Sequence, residues 1–168
     1  VSRHEHRKAA PSKVKVGILT VSTTRTLKED KSGQWIKKQA IKEGSEVVFH
    51  RVITDDVPII TQTILDGIYE HEPHVILLTG GTGISSKDVT IEAVRPLFSK
   101  ELTAFGTLFT QLSFEQIDSA AVLSRATAGV IGKTLLFCMP GSLAACKLAC
   151  KELIFSELGH MVKHLLEA

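Results

Sequence analysis

The sequence predicts a doubly wound α/β domain: a mainly parallel sheet covered by helices on both faces. Three observations lead there. From Val14 onward, short apolar runs alternate with longer segments of helical period, and turn or cap residues stand at each switch. The 168 residues, 43% of them hydrophobic, suffice for one core but not for two ordinary domains. Strands joined by helices need right-handed crossovers, which set neighbouring strands parallel.

Taken in order, "VKVGILTV" (14–21) reads as a buried strand, "STTRTLKEDKSG" (22–33) as a loop, and "QWIKKQAIKEG" (34–44) as a helix stopped by Gly44. "EVVFHRVI" (46–53) is a second strand. In "TDDVPIITQTILDGIYEHE" (54–72), Asp55 or Asp56 can cap a helix and Pro58 suits its first turn, while Ile60, Ile64, Leu65 and Ile68 make one apolar stripe. "HVILLT" (74–79) is a third strand, ending on glycines. The later half is less regular. "FGTLFTQLSFEQI" (105–117) and "DSAAVLSRA" (118–126) look helical, "TAGVIGKTLLFCMPG" (127–141) looks like a turn and one strand, and residues 142–166 supply one or two closing helices.

Charge divides the chain into a basic flexible tail, residues 1–13, and a folded domain, residues 14–168. The first fifteen residues carry Arg3, Arg7, Lys8, Lys13 and Lys15 against Glu5 alone, leaving 15 basic and 17 acidic residues for the rest. A nearly neutral body with one Trp and one Tyr argues against nucleic-acid binding, which needs a basic face or a stacking platform. His4 and His6 in the tail could catch a metal, but a solvated leader is the simpler reading. No signal peptide or membrane-spanning run is visible, so the expected compartment is the cytoplasm, without membrane attachment. Cys138, Cys146 and Cys150 lack the spacing of a zinc site and read as small buried hydrophobes.

In parallel sheets, ligands bind beyond the carboxyl ends of the strands, where helix N-termini and loop amides converge. This chain places Ser22-Thr23-Thr24-Arg25-Thr26, Thr54-Asp55-Asp56, Thr79-Gly80-Gly81-Thr82-Gly83 and Pro140-Gly141-Ser142 at four such ends. All are small, polar or acidic, and together they predict a site. The glycines allow close backbone approach and an anion nest. The loop is neither a Walker A motif, which needs Gly-x-x-x-x-Gly-Lys-Ser/Thr between strand and helix, nor a dinucleotide fingerprint, since Ser86 stands where the third glycine should be. Gly132-Lys133-Thr134 reads as a turn. Acids beside a phosphate nest would repel the ligand unless Mg²⁺ intervened, so Asp55, Asp56 and Asp88 point to a metal-nucleotide; equally, each fits a helix cap. Lys87 and Arg25 stand open between phosphate contact and solvated side chain.

The ordered set "VSTTRT", "DKSG", "TDD", "LLTGGTGISSKDVT", "LSRATAGV" and "MPGS" resembles the MogA/MoaB family of molybdenum-cofactor biosynthesis proteins, over essentially the whole body from Val14 and closer to MoaB. The resemblance implies a three-layer α/β sandwich that assembles as a trimer or hexamer. It also implies a molybdopterin adenylyltransferase, which uses Mg²⁺ with ATP to adenylylate molybdopterin and releases pyrophosphate. Asp55 and Asp88 would be its catalytic and metal-binding acids. Ser22, Thr23, Thr79, Gly80, Gly81, Thr82, Gly83, Ser124, Pro140, Gly141 and Ser142 would contact substrate. Two positions depart from the family pattern: Thr23 stands where many members have Asp, and Thr107 where "FGE" would place Glu. Those losses keep an alternative in view, a molybdopterin carrier without turnover. Another kind of nucleotide-binding domain is disfavoured by the missing fingerprints.

Overall fold

The structure, a computed structural model, describes residues 13–167. The basic tail expected over residues 1–13, with His4 and His6, therefore lies outside the described residues except for Lys13. Six strands form one mixed sheet in the order β2-β1-β3-β6-β5-β4. Four of them, β2 (Glu46–Ile53), β1 (Lys15–Val21), β3 (Val75–Thr79) and β6 (Thr134–Met139), run parallel. The other two, β5 (Thr127–Ile131) and the short β4 (Lys100–Glu101), complete it antiparallel.

Side chains on successive strand residues point to opposite faces, so an apolar strand buried on both sides must feed two cores. That is what these strands do. Val16, Ile18, Val75, Leu77, Leu135, Phe137 and Met139 enter one cluster, while Leu19, Val21, Ile76, Leu78, Leu136 and Cys138 enter the other. The first face is covered by α1 (Lys31–Lys42), α4 (Thr103–Ile117), and the closing helices α5 (Leu143–Leu148), with its π-helical continuation Ala149–Ile154, and α6 (Leu158–Leu166). The second is covered by α2 (Val57–His71) and α3 (Thr90–Val94). A sheet with helices on both faces is the predicted sandwich. No helix of the described residues is long and apolar enough to cross a membrane.

Several local readings needed correction. The helix after the first loop begins three residues earlier than its apolar pattern suggests, because Asp30 caps it by accepting the Gly33 N–H at 2.9 Å. In α2 the stripe is narrower than predicted: Ile60 and Ile64 are buried, but Leu65 is 41% exposed. Gly67 takes its place on the packed face, since a Cβ there would crowd the Phe49 ring. The helical reading of 118–126 holds only to Leu123, as a 3₁₀ helix, Asp118–Leu123. The largest miss is "TAGVIGKTLLFCM", which is two strands. Gly132, with φ +59, and Lys133 make the tight turn of a β5–β6 hairpin whose register pairs Ile131 with Thr134. The three cysteines are buried and unpaired, and burial pushes their thiols up, as small hydrophobes should behave.

Candidate functional site

The parallel strands end together at one rim, and the loops leaving them enclose a cleft of about 310 Å³. Ser22, Thr23, Asp55, the Gly80–Gly83 loop, Asp88, Pro140 and Gly141 all border it, so four loops distant in sequence converge. Crossover topology accounts for this convergence, because each parallel strand must deliver its loop to the same edge.

Backbone, more than side chains, builds the floor. Gly80 and Gly81 have φ +96 and +64, values that glycine adopts freely and other residues adopt with strain. Space demands glycine as well. A Cβ on Gly80 would overlap the Val21 carbonyl oxygen, and one on Gly83 would lie 2.7 Å from Asp88 Oδ2. Across the cleft, a Cβ on Gly141 would stand 3.2 Å from the Cα of Gly80, so two glycine loops pass each other at backbone distance.

The acids fall into different roles. Asp56 is the α2 cap and accepts the Ile59 N–H at 3.0 Å, which leaves the neighbouring Asp55 to face the cleft. Asp88 caps no helix. Its Oδ2 accepts both the N–H (2.9 Å) and the hydroxyl (2.7 Å) of Ser85 within the loop. The Ser85 hydroxyl is the main cause that holds its carboxyl below the ordinary aspartate value, against a smaller upward push from burial, so Asp88 is an anion at neutral pH. Among the described residues no group of three or more His, Cys, Asp or Glu converges on one point. A Mg²⁺ held by one or two carboxylates and phosphate oxygens requires no such group, and two half-buried carboxylates on one phosphate-sized cleft fit that donor set.

Not every expected residue meets at this cleft. Thr79 is buried beneath it and donates from Oγ1 to the Pro140 carbonyl at 3.0 Å. Ser142 is the α5 cap, accepting the Ala145 N–H at 3.1 Å. Ser124 lies in a wider cleft of about 860 Å³ beside the antiparallel strands, together with Thr107, Glu92, Arg95 and Arg125. Thr107 Oγ1 donates to the Thr103 carbonyl at 3.3 Å, within its own helix.

Two residues gain a place that the sequence left open or missed. Arg25 borders the glycine cleft, and its guanidinium approaches the Gly141 carbonyl at 3.5 Å. Asp30, beyond capping α1, is fully buried and also accepts from Thr20 Oγ1 (2.7 Å) and pairs with His50 Nε2 (2.8 Å). Burial pushes its carboxyl up, but the bonds from His50, Gly33 and Thr20 together outweigh burial and hold it below the ordinary value. Next to it, Ser32 Oγ donates to the Gly141 carbonyl at 2.9 Å, which ties the start of α1 to the opposite rim. Lys87 is exposed and does not border the cleft. The sequence signal for Asp30 was its place at the head of the "DKSG" motif, which says nothing of His50, twenty residues away.

Comparison with known proteins agrees with this architecture. Residues 17–160 match the family described as "Probable molybdopterin binding domain". The chain is 44% identical to molybdenum cofactor biosynthesis protein B of Bacillus subtilis over 166 residues, 98% of each protein. It superposes on a crystal structure of a molybdenum cofactor biosynthesis protein B with TM-score 0.89 at 44% identity, covering 93% of this chain and 98% of the other. The tungsten cofactor synthesizing protein MoaB from Pyrococcus furiosus superposes with TM-score 0.80 at 39% identity, over 93% and 99% of the two chains.

Proposed function

The chain belongs to the molybdopterin-binding-domain family of molybdenum cofactor biosynthesis proteins, and from that premise we propose that it adenylylates molybdopterin with Mg²⁺ and ATP. One observation carries the reading. Two carboxylates, Asp55 and Asp88, share a cleft with a backbone nest that suits phosphate. Acids at an anion site make sense when a cation stands between them and the ligand.

In the proposed reaction the terminal phosphate oxygen of molybdopterin attacks the α-phosphorus of ATP. A new P–O–P bond forms, the bond from the α-phosphorus to the bridging α–β oxygen breaks, and pyrophosphate leaves. Asp55 and Asp88 would hold Mg²⁺, which supplies charge neutralisation on the phosphates. The N–H groups of Gly81 and Thr82 would bind phosphate oxygens, since the Gly80 N–H donates to the Met139 carbonyl and the Gly83 N–H to Asp88, and Arg25 adds a positive charge at the mouth of the cleft. Two anions are joined, so the chain's contribution is positioning and electrostatic balance, without a covalent intermediate. The 310 Å³ cleft is small for two substrates, and the adjoining 860 Å³ cleft with Ser124 and Arg125 offers room for the pterin. Homo-oligomeric assembly, as a trimer or hexamer, belongs to the same proposal.

A second reading, a carrier that binds molybdopterin without turnover, draws support from Thr23 and Thr107. Each puts a neutral hydroxyl in a cleft where many family members carry an acid. Incubating the purified protein with molybdopterin, ATP and Mg²⁺, then measuring adenylylated pterin and pyrophosphate, separates the two. Stoichiometric formation of both products is expected. Pterin binding without either product would leave the carrier.

A further inference from the structure

Thr90, the first residue of α3, is fully buried, and its hydroxyl is the one buried side-chain oxygen or nitrogen among the described residues without a hydrogen-bond partner. Folded proteins pair nearly all such groups, so an orphan calls for a partner that comes and goes. Its surroundings indicate which one. The Thr90 N–H donates to the Gly81 carbonyl at 3.0 Å, which holds the side chain against the glycine loop. A Cβ on Gly81 would overlap Thr90 Oγ1 and stand 3.0 Å from Asp55 Oδ1. The missing Cβ therefore leaves a gap with an unpaired hydroxyl on one side and a cleft carboxylate on the other. A hydroxyl is a ready donor and a carboxylate only an acceptor, so the two are chemically matched across that gap.

We infer that Thr90 is a positioning residue for Asp55. When the metal-nucleotide occupies the cleft, the Asp55 carboxylate settles into the gap beside Gly81 and accepts the Thr90 O–H, directly or through one water. One carboxylate oxygen is then held by the protein, and the other is presented to the ligand. Gly81 is required twice over, for its backbone angle and to leave this gap. The inference rests on the adenylyl-transfer reading, because it gives the orphan hydroxyl its partner only in the liganded protein.

The full chain with Thr90→Val, nearly the same shape without the hydroxyl, tests it beside Thr90→Ser, which keeps the donor. Ligand-free Thr90→Val should melt at or above the wild-type temperature, because it discards an unpaired polar group. The rise in melting temperature on adding Mg²⁺ and ATP should be diminished in Thr90→Val and kept in Thr90→Ser. Turnover per KM for ATP should fall roughly 10- to 100-fold in the valine variant, the range of one hydrogen bond to a charged group, and its Mg²⁺ activation midpoint should move upward. Serine should restore most of both. A valine variant with the wild-type ligand shift and kinetics would overturn the role of Thr90 alone. So would a ligand-free melting loss that serine fails to repair, which would mark a packing role. A wild-type protein showing neither ligand shift nor product would instead overturn the adenylyl-transfer reading, and this inference with it.

Discussion

The two ends of the sheet are built by different physics. At the parallel end, β1, β2, β3 and β6 send their loops to one rim, where the glycine cleft is made mainly of backbone, with Asp88 held by short local hydrogen bonds from Ser85. At the antiparallel end, β4 and β5 border a wider cleft made of long side chains: Arg125 pairs with Glu92, and Arg95 with Glu101 at 3.1 Å. Backbone cannot be re-aimed by rotating a side chain, whereas an arginine in a surface ion pair can turn to another partner. The difference teaches where tolerance to substitution should end. The parallel rim should be unforgiving, and the antiparallel cleft adaptable.

The largest expected effect is at the rim. Asp88→Asn keeps the shape, and its amide oxygen can still accept from Ser85, but it removes the charge. Turnover should fall by at least about 100-fold, the scale of losing a preorganised electrostatic group. Thermal melting should show the fold unchanged. Full activity in this variant would remove the rim's special status.

Glycines offer the next contrast, read in stability. Gly80→Ala places a Cβ against the Val21 carbonyl at φ +96 and should cost about 3 kcal/mol in chemical denaturation. Gly132→Ala, at φ +59 with open space around it, should cost only the conformational strain, about 1 kcal/mol. Equal losses would mean that space at the parallel rim is not the constraint.

Buried and exposed charge should differ under acid. Because the folded carboxyl of Asp30 titrates below its ordinary value of 3.8, its contribution is complete above that value and is lost as pH falls through the folded one. Wild type should therefore lose more stability than Asp30→Asn as pH drops below about 4, a comparison made by urea melts at stepped pH. The smallest effect belongs to the antiparallel cleft. Arg125→Gln breaks an exposed pair and should change stability by less than about 1 kcal/mol. A larger loss would make that cleft as rigid as the rim.

Much of this was legible in the order of residues, for identifiable reasons. The apolar runs at 15–21 and 75–79 are strands because both their faces are buried, and a buried strand can carry little else, whereas 46–53 is the edge strand, where only Phe49 is buried and Glu46, His50 and Arg51 are tolerated. The hairpin at 127–139 was half missed. Its first strand, "TAGVI", is short and rich in small residues, and its pairing with β6 depends on a turn whose geometry is not spelled out by Gly-Lys. Asp55 and Asp56 were indistinguishable by type. Only the helix start, which takes Asp56 as its cap, sends Asp55 to the cleft.

By itself the sequence determined the alternation of strand and helix, the small, polar or acidic character of the four parallel strand ends, and the family to which those motifs belong. These are properties of neighbours along the chain, set by periodicity and local backbone freedom. Tertiary structure alone decided that Asp30 meets His50, that Ser124 sits apart from the glycine cleft, and that Thr90 faces Asp55 across the missing side chain of Gly81. Each depends on which strands lie side by side and how closely two loops pass, and those distances exist only once the sheet has formed.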